Sequence, residues 1–319
     1  MKNIIRFAIL SAAAVLVFGA CQKQEITDPL AGHKLVPVQV ALSIEDVQQA
    51  GTKATVALLP EVENWIFDYY YCQFNSAGIS IATGHRRTAV TSGDMEVTDQ
   101  VWLWDLADCT VTYVANIKPA GASYGDDPGW EQGTILKIAD NLETYKTMKF
   151  DMSARLAATE IDASQAGSLK HLPMCGYWQG TITEAINSES DPFHMTVTLG
   201  RMVSKLFVNL TNKTGQTITG VTLQDAAQKA YIFPQVENPA LADEDYADVP
   251  NTVNIANNDT AMLVFYSAPN FCKDGGKHTK IAFTTSGGKT GSIEMGSDVA
   301  RGDYNLYMNT IYTLSVTVK

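Results

Sequence analysis

The stretch that decides the class of fold is Tyr312-Thr313-Leu314-Ser315-Val316-Thr317-Val318. Apolar residues alternate there with hydroxyl-bearing residues, which is the period of a β-strand with one buried face and one face in water. We therefore expect a closing strand whose core-facing side chains are Tyr312, Leu314, Val316 and Val318.

Shorter strand patterns precede this one along most of the chain. The main candidates are residues 36–42, 64–74, 79–81, 101–104, 110–117, 195–199, 205–210, 218–223, 261–266 and 280–284. Turn-forming clusters such as 211–215 and 286–291 separate several of them. A series of short strands with such turns predicts a mainly β protein built from antiparallel sandwiches.

One part of the first half departs from this pattern. Apolar residues recur at helical spacing at Ile135, Ile138, Leu142 and Tyr145, and an alanine-rich run follows at residues 153–166. We expect short helical insertions here, packed on the β framework of the first domain.

The first strand candidate is Val36-Pro37-Val38-Gln39-Val40-Ala41-Leu42. Its apolar positions are Val36, Val38, Val40 and Leu42, and the proline favours a place at the edge of a sheet. A loop of small residues around Lys53 follows.

The N-terminus has the features of a bacterial lipoprotein signal. Lys2 and Arg6 precede an apolar run over residues 7–20, which is shorter than the roughly 20 residues of a membrane-spanning helix. Small residues then stand before Cys21, the predicted site of lipidation. We predict a signal peptide over 1–20, a lipidated tether over 21–35 and an outer-membrane location. The alternative is an ordinary cleaved signal in which the cysteine stands by chance.

Length and charge bound the rest of the chain. The 319 residues are enough for two domains, and a polar boundary near 188–192 predicts an N-terminal domain over 36–190 and a C-terminal domain over 191–319. Removing Lys2 and Arg6 changes the formal net charge from −11 to −13, which argues against binding to nucleic acid.

Cysteines and other polar residues give no sign of a catalytic or metal centre. Four cysteines remain after Cys21: Cys72, Cys109, Cys175 and Cys272. They either form disulfides, with three connectivities if all four pair, or pack as free thiols. The acidic cluster at 243–248 could hold calcium or be a solvated loop. We expect no enzyme activity and no cofactor other than the lipid.

Four segments together resemble the fimbrillin-like proteins, the type V pilins of certain anaerobic Gram-negative bacteria. Residues 172–176 are similar to their PMxG signature, 199–206 to LxRxVAKI, 266–270 to YxPEN, and 309–318 to the closing NxxYxLxVxV. Ser204 replaces the usual alanine of the second motif. Ala268 and the missing glutamate depart from the third.

The resemblance implies two transthyretin-like β-sandwich domains and assembly into a surface fimbria. In such pilins a protease cuts after a basic residue in an early loop, the first strand leaves, and a neighbouring subunit's strand fills the groove. Lys53 matches the cut site here, although the family usually has arginine. The expected partners are other pilus subunits, the outer membrane through the lipid, and a host or bacterial surface receptor.

The position within a fibre stays open. Because the closing strand ends at Val318, we expect a subunit that accepts a strand but does not donate one, as a tip or accessory subunit would. A membrane-bound anchor is the competing interpretation. Outside the pilins, the alternative is a lipid-anchored glycan-binding protein, with Trp102, Trp104, Trp130 and Trp178 as candidates for a sugar-binding surface. Trp102 and Trp104 share one face of a strand, and the other interpretation is that they are core or sheet-covering residues.

Overall fold

The computed structural model describes Leu30 and residues 32–51, 65–87, 96–117, 140–156, 172–183, 191–234, 239–272 and 276–319. Leu30 accepts a hydrogen bond from the backbone of His33 in a short turn. The strands and helices all lie in one compact unit, Leu35–Lys319. Within these ranges, no helix combines the length and the hydropathy that crossing a membrane requires.

Strands make up most of the described structure. In the first half they are β1 (Leu35–Ile44), β2 (Gln48–Gly51), β3 (Asp68–Phe74), β4 (Ser80–Arg87), β5 (Glu96–Trp104), β6 (Cys109–Ala115), β7 (Lys149–Asp151) and β8 (Met174–Gly180). In the second half they are β9 (Phe193–Arg201), β10 (Ser204–Asn212), β11 (Ile218–Ala227), β12 (Lys229–Tyr231), β13 (Tyr246–Ile255), β14 (Thr260–Ser267), β15 (Lys280–Thr285), β16 (Thr290–Glu294) and β17 (Thr310–Val318). The prediction of a mainly β protein is confirmed.

The helices in the described ranges are short. Helix α1 (Leu142–Thr147) begins at Asn141, whose side chain accepts a hydrogen bond from the backbone of Thr144, and it buries Tyr145. Helix α2 (Ser153–Leu156) covers the start of the predicted alanine-rich helix. Ile135, Ile138 and residues 157–166 lie outside the described residues.

The strands named above form four sheets. A seven-stranded sheet has the order β4-β3-β6-β8-β9-β1-β5, two four-stranded sheets have the orders β14-β10-β17-β2 and β13-β11-β15-β16, and β12 pairs with β7. The large sheet curls around a first core, because the inward side chains of β1, β5, β6 and β9 all pack into it. The two four-stranded sheets share a second core, to which both β10 and β11 contribute.

A third cluster joins the two halves of the chain. Strand β3 is buried along its whole length, so alternate residues serve different cores: Tyr69 packs in the first core and Tyr70 in this middle core. Tyr266 and Phe233 reach the middle core from the second half. Strand β9 lies in the large sheet although it follows residue 190, and the division into 36–190 and 191–319 stays a prediction.

Two details of the predicted sheets are wrong. Strand β1 is not at an edge, since it pairs with β5 on one side and with β9 on the other. Pro37 is accommodated because the pairing with β9 begins only at Val38. Two of the four described sheets are also mixed rather than antiparallel: β1 runs parallel to β9, and β17 runs parallel to β10 and β2. The sheet of β13, β11, β15 and β16 and the pair of β12 with β7 are antiparallel, as predicted. Long stretches of chain separate each of these parallel pairs in sequence, as parallel pairing requires.

The four described cysteines are free thiols, which agrees with the packing alternative. Cys72, Cys109 and Cys175 are buried, and Cys272 is partly exposed. Burial raises the pKa of Cys72 to about 12 and that of Cys272 to about 11, and it raises the pKa of Cys175 further.

We expect the buried thiols to be inert in the folded protein, because both access and the thiolate fraction are low. Alkylation at pH 8, followed by mass spectrometry of the peptides, should modify Cys72 and Cys175 only after denaturant is added. Cys272 should react more slowly than a thiol in an unfolded chain. Rapid native labelling of Cys175 would contradict this packing.

The acidic cluster is built around an ion-pair network rather than a cation site. The carboxylate of Asp245 is 1% exposed and is bound by the amino groups of Lys149 and Lys229, the latter at 2.6 Å. Burial raises the pKa of Asp245, but the hydrogen bonds from the two lysines outweigh it, so the pKa lies below its ordinary value of 3.8. The described residues contain no cluster of three or more potential metal ligands. The prediction of a solvated acidic loop is confirmed for Asp243, Glu244 and Asp248, which are exposed, and is wrong for Asp245.

Replacing Asp245 by asparagine should lower the free energy of unfolding at pH 7 by about 2 kcal/mol, the usual range for hydrogen bonds to charged groups. A carboxylate with a lowered pKa in the folded state stabilises above its unfolded pKa, and this contribution is lost as the pH falls through the folded pKa. Denaturant unfolding should therefore give a smaller difference at pH 3 than at pH 7. Asp243→Asn, at a side chain 89% exposed, is the control and should change little. Equal losses for Asp245→Asn at both pH values would contradict the network.

Candidate strand-exchange site

Strand β1 fills a slot between two other strands of the large sheet. Leu35–Ser43 pairs antiparallel with Glu96–Trp104 of β5, and Val38–Ile44 pairs parallel with Phe193–Leu199 of β9. In the described part of the chain β5 has no other sheet partner. Removing β1 would therefore leave unpaired backbone groups on both sides of a groove, which only another extended strand could satisfy.

The four predicted residues of the first strand all face inward. Val36, Val38, Val40 and Leu42 are each at most 2% exposed and pack in the first core. Gln39, Ala41 and Ser43 on the other face are partly exposed. The groove thus has successive apolar pockets at a spacing of two residues, which is the spacing of a strand.

The wall formed by β5 is also held from its other side. The buried side chain of Gln73 in β3 donates to the backbone oxygen of Trp104 at 2.8 Å and accepts from its backbone nitrogen at 2.9 Å. The hydroxyl of Tyr69 donates to the Asp99 carboxylate at 2.7 Å. These bonds do not involve β1, so β5 retains an attachment to the body when β1 is absent.

The segment that follows β1 crosses from the large sheet to the sheet that contains β17. The backbone nitrogen of Glu45 donates to the oxygen of Leu199 at 2.9 Å, and that of Gln48 donates to the oxygen of Asn309 at 3.0 Å. Strand β2 then pairs with Thr310–Thr313 of β17. The N-terminal segment therefore completes two sheets, not one.

Two buried side chains hold this crossing. The Arg201 guanidinium donates to the backbone oxygen of Glu45 at 3.0 Å and to the Asn309 side-chain oxygen at 2.6 Å. The Asn309 amide nitrogen donates to the Glu45 carboxylate at 3.2 Å and to the backbone oxygen of Asp46 at 2.9 Å. We call Arg201 and Asn309 the crossover clamp.

The other predicted residues fall in different places. Tyr312, Leu314, Val316 and Val318 form the closing strand β17 and pack in or against the second core. Cys21 and Lys53 lie outside the described residues. Arg201 and Asn309 stand in two of the pilin-like motifs, but sequence reasoning assigned them no role. Gln73 and Glu45 carry no sequence signal that distinguishes them from other polar residues.

These features define a class of protein: a mainly β protein whose N-terminal strand is clamped into a groove of a curled sheet. No protein-family model matches the chain, and no curated protein matches it by sequence. Solved structures with the same fold do exist, and their descriptions are consistent with one another.

The chain is similar to the tip fimbrial protein Mfa3 from Porphyromonas gingivalis, solved with a C-terminal truncation, with a TM-score of 0.60 and 15% identity over 90% of this chain and 96% of that one. A candidate cell adhesion protein from Parabacteroides distasonis has a TM-score of 0.59 and 15% identity over 88% of each chain. Another from Bacteroides eggerthii has a TM-score of 0.53 and 14% identity over 89% of this chain and 86% of that one. At the level of the fold, these similarities confirm the resemblance to fimbrillin-like proteins. None of the three is described as an enzyme.

Proposed function

We propose that this protein is a fimbrial subunit that accepts a strand from a neighbouring subunit after its own N-terminal strand has been removed. The observation that carries the proposal is the β1 groove, with apolar pockets for Val36, Val38, Val40 and Leu42 and, on each side, a strand whose backbone pairs with β1. The two transthyretin-like sandwiches, the lipid on Cys21 and the outer-membrane location belong to the same proposal. The cut at Lys53 also belongs to this proposal, because it would break the covalent link between the body and the segment that contains β1 and β2.

The energetics favour displacement over spontaneous release. Each fully buried valine or leucine side chain contributes about 1.5–3 kcal/mol, so the four inward residues of β1 together contribute about 6–12 kcal/mol as an upper range. A cut in the following loop would leave the segment bound without a covalent link. A competing strand of similar pattern could then replace it while the body stays folded.

The similarity to the tip fimbrial protein Mfa3 supports a tip or accessory position for this chain. The similarity to two candidate cell adhesion proteins supports a role in adhesion. Binding to other pilus subunits would follow from strand exchange, and a surface receptor would be a separate partner.

Limited digestion with a protease specific for lysine or arginine tests the cut. We expect one early cleavage after Lys53, a folded body that begins at Ala54, and a segment that an excess of peptide 35–51 displaces. The variant Lys53→Gln should resist this cleavage and keep its segment. Resistance of the native loop to the protease, or unfolding of the body after the cut, would count against the proposal.

A second candidate function is glycan binding by a lipid-anchored surface protein. The side chain of Trp102 on β5 is 42% exposed, and an exposed indole face can stack on a sugar ring. A shift of tryptophan fluorescence with a polysaccharide, lost in Trp102→Ala, would support this function. A protein that stays monomeric and unexchanged after the cut would favour it over the pilus.

A further inference from the structure

We propose that the crossover clamp, Arg201 and Asn309, is a recognition site for the incoming donor strand, and that it selects a strand followed directly by a glutamate or a residue of similar length with a side-chain acceptor. This inference rests on the proposed strand exchange and adds the chemistry of the partner. It makes the clamp a determinant of register and partner choice.

The clamp belongs to the body that would remain after cleavage. Arg201 ends β9 and is 5% exposed, and Asn309 precedes β17 and is 2% exposed. The backbone nitrogen of Asn309 donates to the oxygens of Arg201 and Val203, each at 2.9 Å, so the two residues are tied to one another through backbone and side chain. The clamp therefore lies at two strand ends, and the bonds between its two residues do not involve the segment that it binds.

The clamp binds two kinds of hydrogen-bond acceptor in the N-terminal segment. The backbone oxygens of Glu45 and Asp46 would be present in any extended strand, so they favour binding without selecting a sequence. The carboxylate of Glu45 is a side-chain group, and the Asn309 amide nitrogen donates to it. This contact is the one that can distinguish one donor strand from another.

The surroundings leave room for that carboxylate. A Cβ atom added at Gly200 would lie 3.1 Å from the Glu45 carboxylate oxygen and 2.9 Å from the Met308 side chain, so glycine at this position permits the close approach. Glu45 itself lies at the surface of the chain. An incoming segment could therefore place its own acidic residue here without opening the core.

The clamp also fixes register. A shift of one residue in a strand would turn every inward side chain outward, so register must be specified wherever one face is buried. Leu42 is the last fully buried residue of β1, Ile44 packs partly buried against the same core, and Glu45 reaches the clamp directly after Ile44. A donor strand with the apolar alternation but without an acceptor at this distance would fill the pockets and leave the clamp unmatched.

The test uses the full chain with a specific protease site inserted between Gly51 and Thr55. The chain is cut, and fluorescent peptides of residues 35–51 compete for the groove against the segment that was cut free. The peptide Glu45→Ala should bind about tenfold more weakly than the unaltered peptide, as expected for loss of a hydrogen bond to a charged group. Asp46→Ala is the matched control, because it removes the same charge one residue further on, and it should change binding by less than about twofold.

A variant of the cut protein, Asn309→Gly, completes a double-mutant cycle with the Glu45→Ala peptide. Asn309→Gly removes the amide but suits the left-handed backbone at this position, where φ is +54°. On this body the unaltered and Glu45→Ala peptides should bind equally. If Glu45→Ala and Asp46→Ala peptides bind alike on the unaltered body, the clamp does not select an acidic residue, although the groove still accepts strands. If no peptide enters the cut protein, the strand exchange and the clamp are both wrong.

Discussion

Replacing Val40 by aspartate should lower the free energy of unfolding of the intact chain by about 4 kcal/mol or more. Val40 is fully buried in the first core, and a buried charge without a partner is among the most destabilising changes a core can receive. Its register partner on β5 is Asp99, whose carboxylate already accepts the hydroxyl of Tyr69. The new carboxylate would therefore also meet a like charge on the same face of the sheet.

Ala41→Asp is the matched control for this change. Ala41 lies one residue further along β1, on the partly exposed face, and its partner on β5 is the exposed Thr98. We expect a loss below about 1 kcal/mol in denaturant unfolding followed by tryptophan fluorescence. Equal losses for the two variants would mean that the inward face of β1 is not a set of core pockets.

Replacing Gly176 by alanine should cost about 3 kcal/mol, at the upper end of the range for overpacking. Gly176 lies in β8, and an added Cβ atom would collide with the backbone oxygen of Thr198 and approach the Leu199 side chain at 3.0 Å. The backbone cannot rotate away as a flexible side chain could, so β8 and β9 would have to separate. Because β9 is one wall of the groove, the seat of β1 should loosen as well.

Gly220→Ala provides the comparison for Gly176→Ala. Gly220 also lies in a strand, but an added Cβ atom would have no heavy atom within 4 Å. Thermal and denaturant unfolding should show little change there, or a small gain from reduced freedom of the unfolded chain. A similar small effect at Gly176 would contradict the close contact of β8 with β9.

Gly176 also gives a physical reason for one of the pilin-like motifs. The glycine of Pro173-Met174-Cys175-Gly176 stands where β8 passes the backbone of β9 too closely for a side chain. Arg201 and Asn309 give reasons for two others, since they hold the crossing after β1. The motifs that carried the resemblance therefore mark contacts between distant segments.

Local patterns predicted much of the fold. Period-two alternation located β1 and β17, and it identified Val36, Val38, Val40 and Leu42 as inward-facing residues, because burial on one face leaves its period in the sequence. Strands with weaker alternation were missed. Strand β8 contains two glycines and β13 contains Pro250, and both features lower the strand signal.

The arrangement of the strands could not be predicted in the same way. The parallel pairing of β1 with β9 joins residues that are remote in sequence, such as Val40 and Met195. No local pattern in the sequence predicts such a pairing. The attachment of β5 to Gln73 and the clamp at Asn309 depend on side chains whose partners are likewise remote in sequence. These nonlocal contacts, not the strand pattern, make the groove.

Hydrogen exchange at the backbone amides of β5 and β9 would show whether the first strand can leave and be replaced. The chain cut after Gly51 would be compared before displacement of its segment, after displacement, and after addition of peptide 35–51. We predict that amides of both strands lose protection when the segment leaves and regain it with the peptide, while β10 and β11 stay protected throughout. Unchanged protection of β5 and β9 after the segment has left would contradict a replaceable first strand.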